Sequence, residues 1–304
     1  MYETGGYYFV TARCFQGRRL LRPTRQINEV LGGVLARAAK RTGVELCGFV
    51  AASTHVHLLC HSRDGRLSEF MKYFLCNVSK KAGRLVDWSG QFWERRFAAE
   101  PVLDDLALER RLKYILAHGV KEGLVRKVSE WPGLSCLNQL LHKPTRSFPF
   151  YEWRRRWKSG KLVEGGQNRW DRAWRSTEQL ELHPLPVWSR WSAERRIARV
   201  KQLVADIEKE GREKHQKVMG VEKLLATDPH SRPAKLKRGP GPKFHATFRL
   251  VGIEFLKRYN AFKGNFVAAM KRLRTGVLLT VFDFPRYSFS PSVPVARTIK
   301  DESV

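Results

Sequence analysis

The chain has 304 residues, enough for one large domain or two ordinary ones, and 42% are hydrophobic, which supplies a core and argues against wholesale disorder. Lys and Arg number 57 against 29 Asp and Glu, a formal charge of +28. A solvated surface needs no such surplus. With nine tryptophans beside it, the polyanion it points to is nucleic acid. A membrane surface is the weaker alternative, because no lipidation signal or isolated basic amphipathic terminus supports it. No apolar run approaches the roughly 18–20 residues of a membrane span, and no basic segment followed by a long apolar run marks a signal peptide. Five cysteines without a C-x-x-C pair fit reduced thiols, so a cytoplasmic, nucleoid-associated protein is expected.

Tyr7–Arg13 is aromatic and β-branched, a strand composition, and Gln26–Arg41 has apolar residues at helical spacing. Val44–Ala52 and Val56–Cys60 read as two further strands, and Leu67–Leu85 as a helix with Leu67, Phe70, Met71, Phe74 and Leu75 on one face. Phe92–Leu103 suggests a strand pair. Leu106–His118 is a third helix, with Asp104 or Asp105 to cap it and Gly119 suited to the left-handed position after its last turn. The order β-α-β-β-α-β-α predicts an α+β fold, a ferredoxin-like antiparallel sheet with helices on one face, over residues 1–143.

From residue 144 the pattern changes to a basic, Trp/Arg-rich and mostly helical region, residues 144–304, with helices at Ala193–Lys209 and Phe248–Leu273 and a Pro/Gly/Lys/Arg linker near 228–245. Residues 1–143 carry 23 basic and 13 acidic side chains, and residues 144–304 carry 34 and 16, so the excess is heaviest in the second part.

The stretch Thr54–His61, THVHLLCH, holds three of the nine histidines. On a strand His55 and His57 point the same way, as a divalent cation would need, though an H-x-H pair is also a common structural accident. His61 shares their parity but falls four residues beyond His57, past the expected strand end. On the third helix, Leu108, Leu112, Ile115 and Leu116 form the apolar stripe, while Tyr114 and His118, four apart, share another side. A phenol beside an imidazole, opposite two more imidazoles, is enough for a metal-assisted nucleophilic site. Cys60 lies on the other strand face from His57 and is disfavoured as a nucleophile. Glu94 and Glu122 read as surface charges.

These residues resemble the single-tyrosine HUH transposases, in particular the REP-associated tyrosine transposases and their insertion-sequence relatives. His55-Val56-His57 matches the family's paired-histidine strand, Phe92-Trp93-Glu94-Arg95-Arg96-Phe97 a later aromatic block, YILAHGVKEGLV from Tyr114 to Val125 the tyrosine helix, and Trp131-Pro132-Gly133-Leu134-Ser135 a downstream block. The four come in the family's order across residues 5–136. Two departures stand out: His118-Gly119 replaces an Asn-Pro pair, and Thr54 replaces the Asn before the first histidine, a position expected to support that histidine from behind.

The resemblance implies the HUH endonuclease fold. It also implies Mg²⁺ or Mn²⁺ held by His55, His57 and His118, and Tyr114 as the nucleophile that nicks and rejoins single-stranded or hairpin DNA through a 5′-phosphotyrosine. The family includes dimers with exchanged tyrosine helices and monomers, so the resemblance leaves a homodimer and a monomer both open. Trp153, Arg154, Arg155, Arg156, Trp157, Arg169, Trp170, Arg172, Trp174 and Arg175 interleave cations with flat rings, and with Lys235, Lys237 and Arg238 they are expected to bind DNA. The alternatives are a catalytically inactive, domesticated protein that binds hairpin repeats, and a metal-dependent nuclease that uses water.

Overall fold

The computed structural model describes residues 5–152, 174–233, 241–275, 283–285 and 288. A four-stranded antiparallel sheet has the order β2-β3-β1-β4, made of β1 (Gly6–Arg13), β2 (Val44–Ala51), β3 (His55–Ser62) and β4 (Ala98–Val102). Between β1 and β2 runs α1 (Arg25–Thr42), and between β3 and β4 runs α2 (Leu67–Leu85). The Thr24 hydroxyl accepts the Ile27 N–H at the start of α1, and Gly43, at φ +69°, turns the chain out of its end.

Next comes α3 (Asp105–Lys121), over the sheet face that carries His57 and Leu59. It approaches closely because Gly48 has no side chain: a Cβ there would sit 2.9 Å from Leu112 Cδ1. The opposite face, with Tyr8, Val10, Ala12, Val56, Leu58 and Cys60, is also fully buried, and α1 packs on β2 and α2. Asp104 caps α3, accepting the Ala107 N–H at 2.8 Å.

Some local expectations are corrected. β3 runs through His61 to Ser62, so His61 lies inside the strand. Phe92–Leu103 forms no strand pair of its own, only β4 and the isolated bridges of Trp93 to Cys14 and Val102 to His245. Gly119 does not end α3. The helix continues to Lys121, and Gly123 (φ +67°) takes the left-handed position, while Gly119 makes room for Trp131, whose ring a Cβ would meet at 2.6 Å. A glycine near a helix end signals close approach as well as a cap, and sequence alone does not tell the two apart.

Beyond α4 (Leu137–Leu141), β5 (Thr145–Tyr151) and β6 (Arg175–Glu181) form an antiparallel pair against α1, which the expectation of a mostly helical region had missed. Phe148, Phe150, Leu180, Trp188, Val200, Leu203 and Ile207 join the same buried cluster as the sheet, so residue 143 does not separate two cores. α5 (Ala193–Lys214) lies along α3, where Arg199 pairs with Glu109, Lys113 with Glu210 at 2.6 Å, and Gly211 admits Val120. The short α6 (Val221–Leu225) and the long α7 (Arg249–Arg274) follow. No helix among the described residues is long and apolar enough to cross a membrane.

The docking of the β5–β6 pair depends on Gly33 in α1, where a Cβ would lie 2.1 Å from the Pro149 carbonyl oxygen. Gly33→Ala is expected to destabilise the protein by about 2 kcal/mol, since backbone displacement outweighs the roughly 1 kcal/mol that alanine gains in a helix. Denaturant unfolding measures it; a wild-type midpoint would show that β5 is not seated on α1.

Candidate metal and nucleophile site

Strand pairing and one helix assemble the site. His55 and His57 lie on the central strand β3 with one residue between them, and α3 brings in His118 from the facing layer. One ligand nitrogen from each of the three lies within 4.8 Å of the others, the separation at which one ion could be shared. Their ring centroids are 4.7 Å (His55–His57), 4.7 Å (His55–His118) and 5.5 Å (His57–His118) apart. Tyr114, one turn before His118, sets its ring edge-on to His57 at 5.4 Å.

Neighbouring hydroxyls orient the imidazoles. Thr11 faces His57 across the β1–β3 pair, its Oγ1 2.9 Å from Nδ1, and Thr54 Oγ1 lies 2.8 Å from His55 Nδ1. With Nδ1 engaged, His57 Nε2 is buried with no hydrogen-bond partner. A buried nitrogen left without a partner costs stability unless a ligand meets it, and here it belongs to the cluster of three. Thr54 therefore does support the first histidine from behind, and Thr11 is a partner that sequence reading missed because it becomes visible only once β1 is paired with β3.

Burial pushes the His55 and His57 imidazoles well below their ordinary range, reinforced by the neighbouring imidazoles, and burial lowers His118 to about 4. All three are neutral near pH 7, the form that ligates a metal. The donor set thus fits a divalent cation.

Burial also raises the Tyr114 phenol, and the Glu122 carboxylate adds to the shift, while Arg111 opposes it. The phenol therefore needs a nearby positive charge to ionise. Two cations flank its ring, Lys121 Nζ at 4.3 Å and the Arg111 guanidinium at 5.3 Å from the centroid. Arg111 Nε is buried with no hydrogen-bond partner. Neither cation was picked out from the sequence, although Arg111, Tyr114, His118 and Lys121 follow the 3-4-3 spacing of one helix face. Phe9 packs beneath, stacked on His57 at 5.0 Å and edge-on to Tyr114 at 5.7 Å.

Other histidines and expected contacts lie apart. His61 stacks on Tyr7 at 4.3 Å and pairs with Glu45 at 2.8 Å, away from the cluster. Cys60 is fully buried, and burial raises its thiol well above the usual range. Of the expected DNA-binding residues, Trp174 precedes β6 and Arg175 lies exposed on it, on the α1 side of the fold. Trp153, Arg154, Arg155, Arg156, Trp157, Arg169, Trp170, Arg172, Lys235, Lys237 and Arg238 lie outside the described residues.

The family model described as "Transposase IS200 like" matches residues 7–118. Among solved structures, a REP-associated tyrosine transposase bound to a REP hairpin is 21% identical, over 47% of this chain and 83% of that one, with a TM-score of 0.41. A candidate transposase from Deinococcus radiodurans R1 is 17% identical, over 38% of this chain and 91% of that one, with a TM-score of 0.29. No curated protein matches the chain. It is the segment carrying His55, His57, Tyr114 and His118, residues 7–118, that matches the IS200-like transposases.

Proposed function

We propose that this protein is a DNA transposase that nicks and rejoins single-stranded or hairpin DNA, with Tyr114 as nucleophile. The convergence of one tyrosine with three neutral histidines carries this reading, and the family match over the same residues supports it. The Tyr114 oxygen attacks phosphorus, forming a 5′-phosphotyrosine as the bond to the 3′-oxygen breaks. The phenol proton leaves to solvent and the departing 3′-oxygen takes one up. A later attack by a 3′-hydroxyl reverses the exchange, so strands are joined without ATP.

His55, His57 and His118 would hold a divalent cation, and when bound it would supply charge to a non-bridging phosphate oxygen and favour the ionised phenol. Arg111 and Lys121, beside the same ring, neutralise the phosphate from the other side. α5, clamped to α3 through Glu109–Arg199, holds the tyrosine helix in register with the strand. The net charge of +28 attracts and retains the polyanion, so affinity falls steeply with salt.

Incubation with a labelled hairpin oligonucleotide and Mn²⁺, followed by denaturing electrophoresis, should show a protein–DNA adduct. Cleavage with no adduct would indicate water as the nucleophile, and binding with neither would leave a DNA-binding protein. Three imidazole nitrogens suit a transition-metal cation better than Mg²⁺, which prefers oxygen. Half-maximal adduct formation should therefore need roughly tenfold less Mn²⁺ than Mg²⁺. Equal requirements would mean that His118 is not a ligand.

A further inference from the structure

The edge strand β4, residues 241–243 and the first half of α7 line an open cavity of about 320 Å³ that the nicking step leaves unused. Residues 241–247 are fixed beside β4. The His245 N–H donates to the Pro101 carbonyl at 2.8 Å, and the Leu103 N–H to the His245 carbonyl at 2.9 Å. The His245 ring donates through Nε2 to Glu100 Oε2 at 3.1 Å, which holds that carboxylate in place. Its other oxygen, Oε1, lies 3.0 Å from where a Cβ of residue 241 would be, so a glycine at 241 keeps it open to the cavity.

The opposite wall is aromatic. Phe255 and Tyr259 stack at 6.1 Å with an interplanar angle of 23°, and Lys243 Nζ lies 5.7 Å from the Tyr259 centroid. Phe255 is buried, which leaves Tyr259 as the accessible face, and Lys243 is exposed.

The cavity adjoins the nucleophile. Glu100 pairs with Phe9 across β1 and β4, and the Phe9 ring touches both Tyr114 and His57. The pocket thus begins about 5 Å, one strand spacing, beyond the residue under the tyrosine. A flat ring, a fixed acceptor and an outer cation answer the π-face, amino donor and phosphate of one unpaired nucleotide. Its volume is at the lower end of the range for small-molecule pockets.

We propose that this cavity holds one unstacked nucleobase of the DNA strand presented to Tyr114. Tyr259 supplies the stacking surface, and the Glu100 carboxylate selects bases with an exocyclic amino group over thymine, which has a carbonyl oxygen where cytosine carries that amino group. The proposal rests on the DNA-nicking reading above. It adds a specificity-determining residue in β4 and a binding wall from the C-terminal region, outside residues 7–118.

The test is fluorescence anisotropy in EDTA with labelled (dC)12 and (dT)12, which carry the same phosphate charge. Wild type should bind (dC)12 about tenfold more tightly. Glu100→Gln should reduce that ratio to within about twofold, and Tyr259→Ala should weaken both oligonucleotides by about tenfold. Gly241→Phe fills the cavity with its Cβ against Glu100 Oε1, and should also erase the preference if Glu100→Gln unfolds. Wild type that does not discriminate, or folded Glu100→Gln and Gly241→Phe proteins that keep the wild-type ratio, would overturn the proposal. The adduct assay separates the two ideas: selectivity without an adduct removes the nicking reading alone, and an adduct without selectivity removes the pocket alone.

Discussion

Tyr114→Phe is expected to lower covalent adduct formation by roughly 10⁴-fold or more, the scale seen when a covalent nucleophile is deleted. The substitution removes one oxygen and little else. The ring keeps its edge contact with Phe9 and its position between Lys121 and Arg111, so fold and DNA affinity should stay within about twofold of wild type. Anisotropy on the same hairpin reports binding, and denaturing electrophoresis reports the adduct. An adduct that persists in the variant would mean another nucleophile. The buried cysteines offer none, because burial raises the thiols of Cys14, Cys47, Cys60 and Cys136. Loss of binding together with the adduct would instead assign Tyr114 a role in holding the strand.

The metal-free protein should lose stability as the pH falls below 6.5. In the folded state burial holds His118 at about 4, against an ordinary 6.5 in the unfolded chain. Between those values the unfolded chain binds a proton that the folded protein does not, so acid favours unfolding. The stability is complete above pH 6.5, falls through the interval, and loses nothing further from this residue below about 4. At about 1.4 kcal/mol per pH unit, His118 alone accounts for on the order of 3 kcal/mol. His55 and His57 act in the same direction.

In a chain of this size His118 alone corresponds to a drop in Tm of roughly 4–5 °C between pH 7 and pH 4.5. His118→Asn, which cannot take up the proton, should weaken the dependence and leave the part due to His55 and His57. Mn²⁺ should raise Tm at pH 7 and lose that effect near pH 5, because the ion needs neutral imidazoles and protons compete for them. EDTA should reverse the gain. A wild-type Tm unmoved by Mn²⁺ at pH 7 would show that the three histidines do not bind it.

The local elements and the candidate site residues were legible in the sequence because both depend on short-range periodicity. Alternation put His55 and His57 on one strand face, and the four-residue repeat put Tyr114 beside His118. Asp104 was visible as a cap, while its second contact, with the Thr247 N–H at 2.6 Å, joins residues 143 apart and leaves no local signature. Arg111 and Lys121 had the periodicity to be found and were obscured by the many other basic residues around them.

The sequence by itself determined which side chains share a strand face or a helix turn, and through the charge of +28 what kind of partner the protein attracts. Only the tertiary structure decided that α3 lies over the histidine face, that Thr11 orients His57, and that β5, β6 and α5 join one core with the sheet. It also brought His245 and Gly241 to Glu100 from the far end of the chain. Pairing register and helix docking are set by contacts between residues far apart in sequence, and such contacts have no period that a single chain displays.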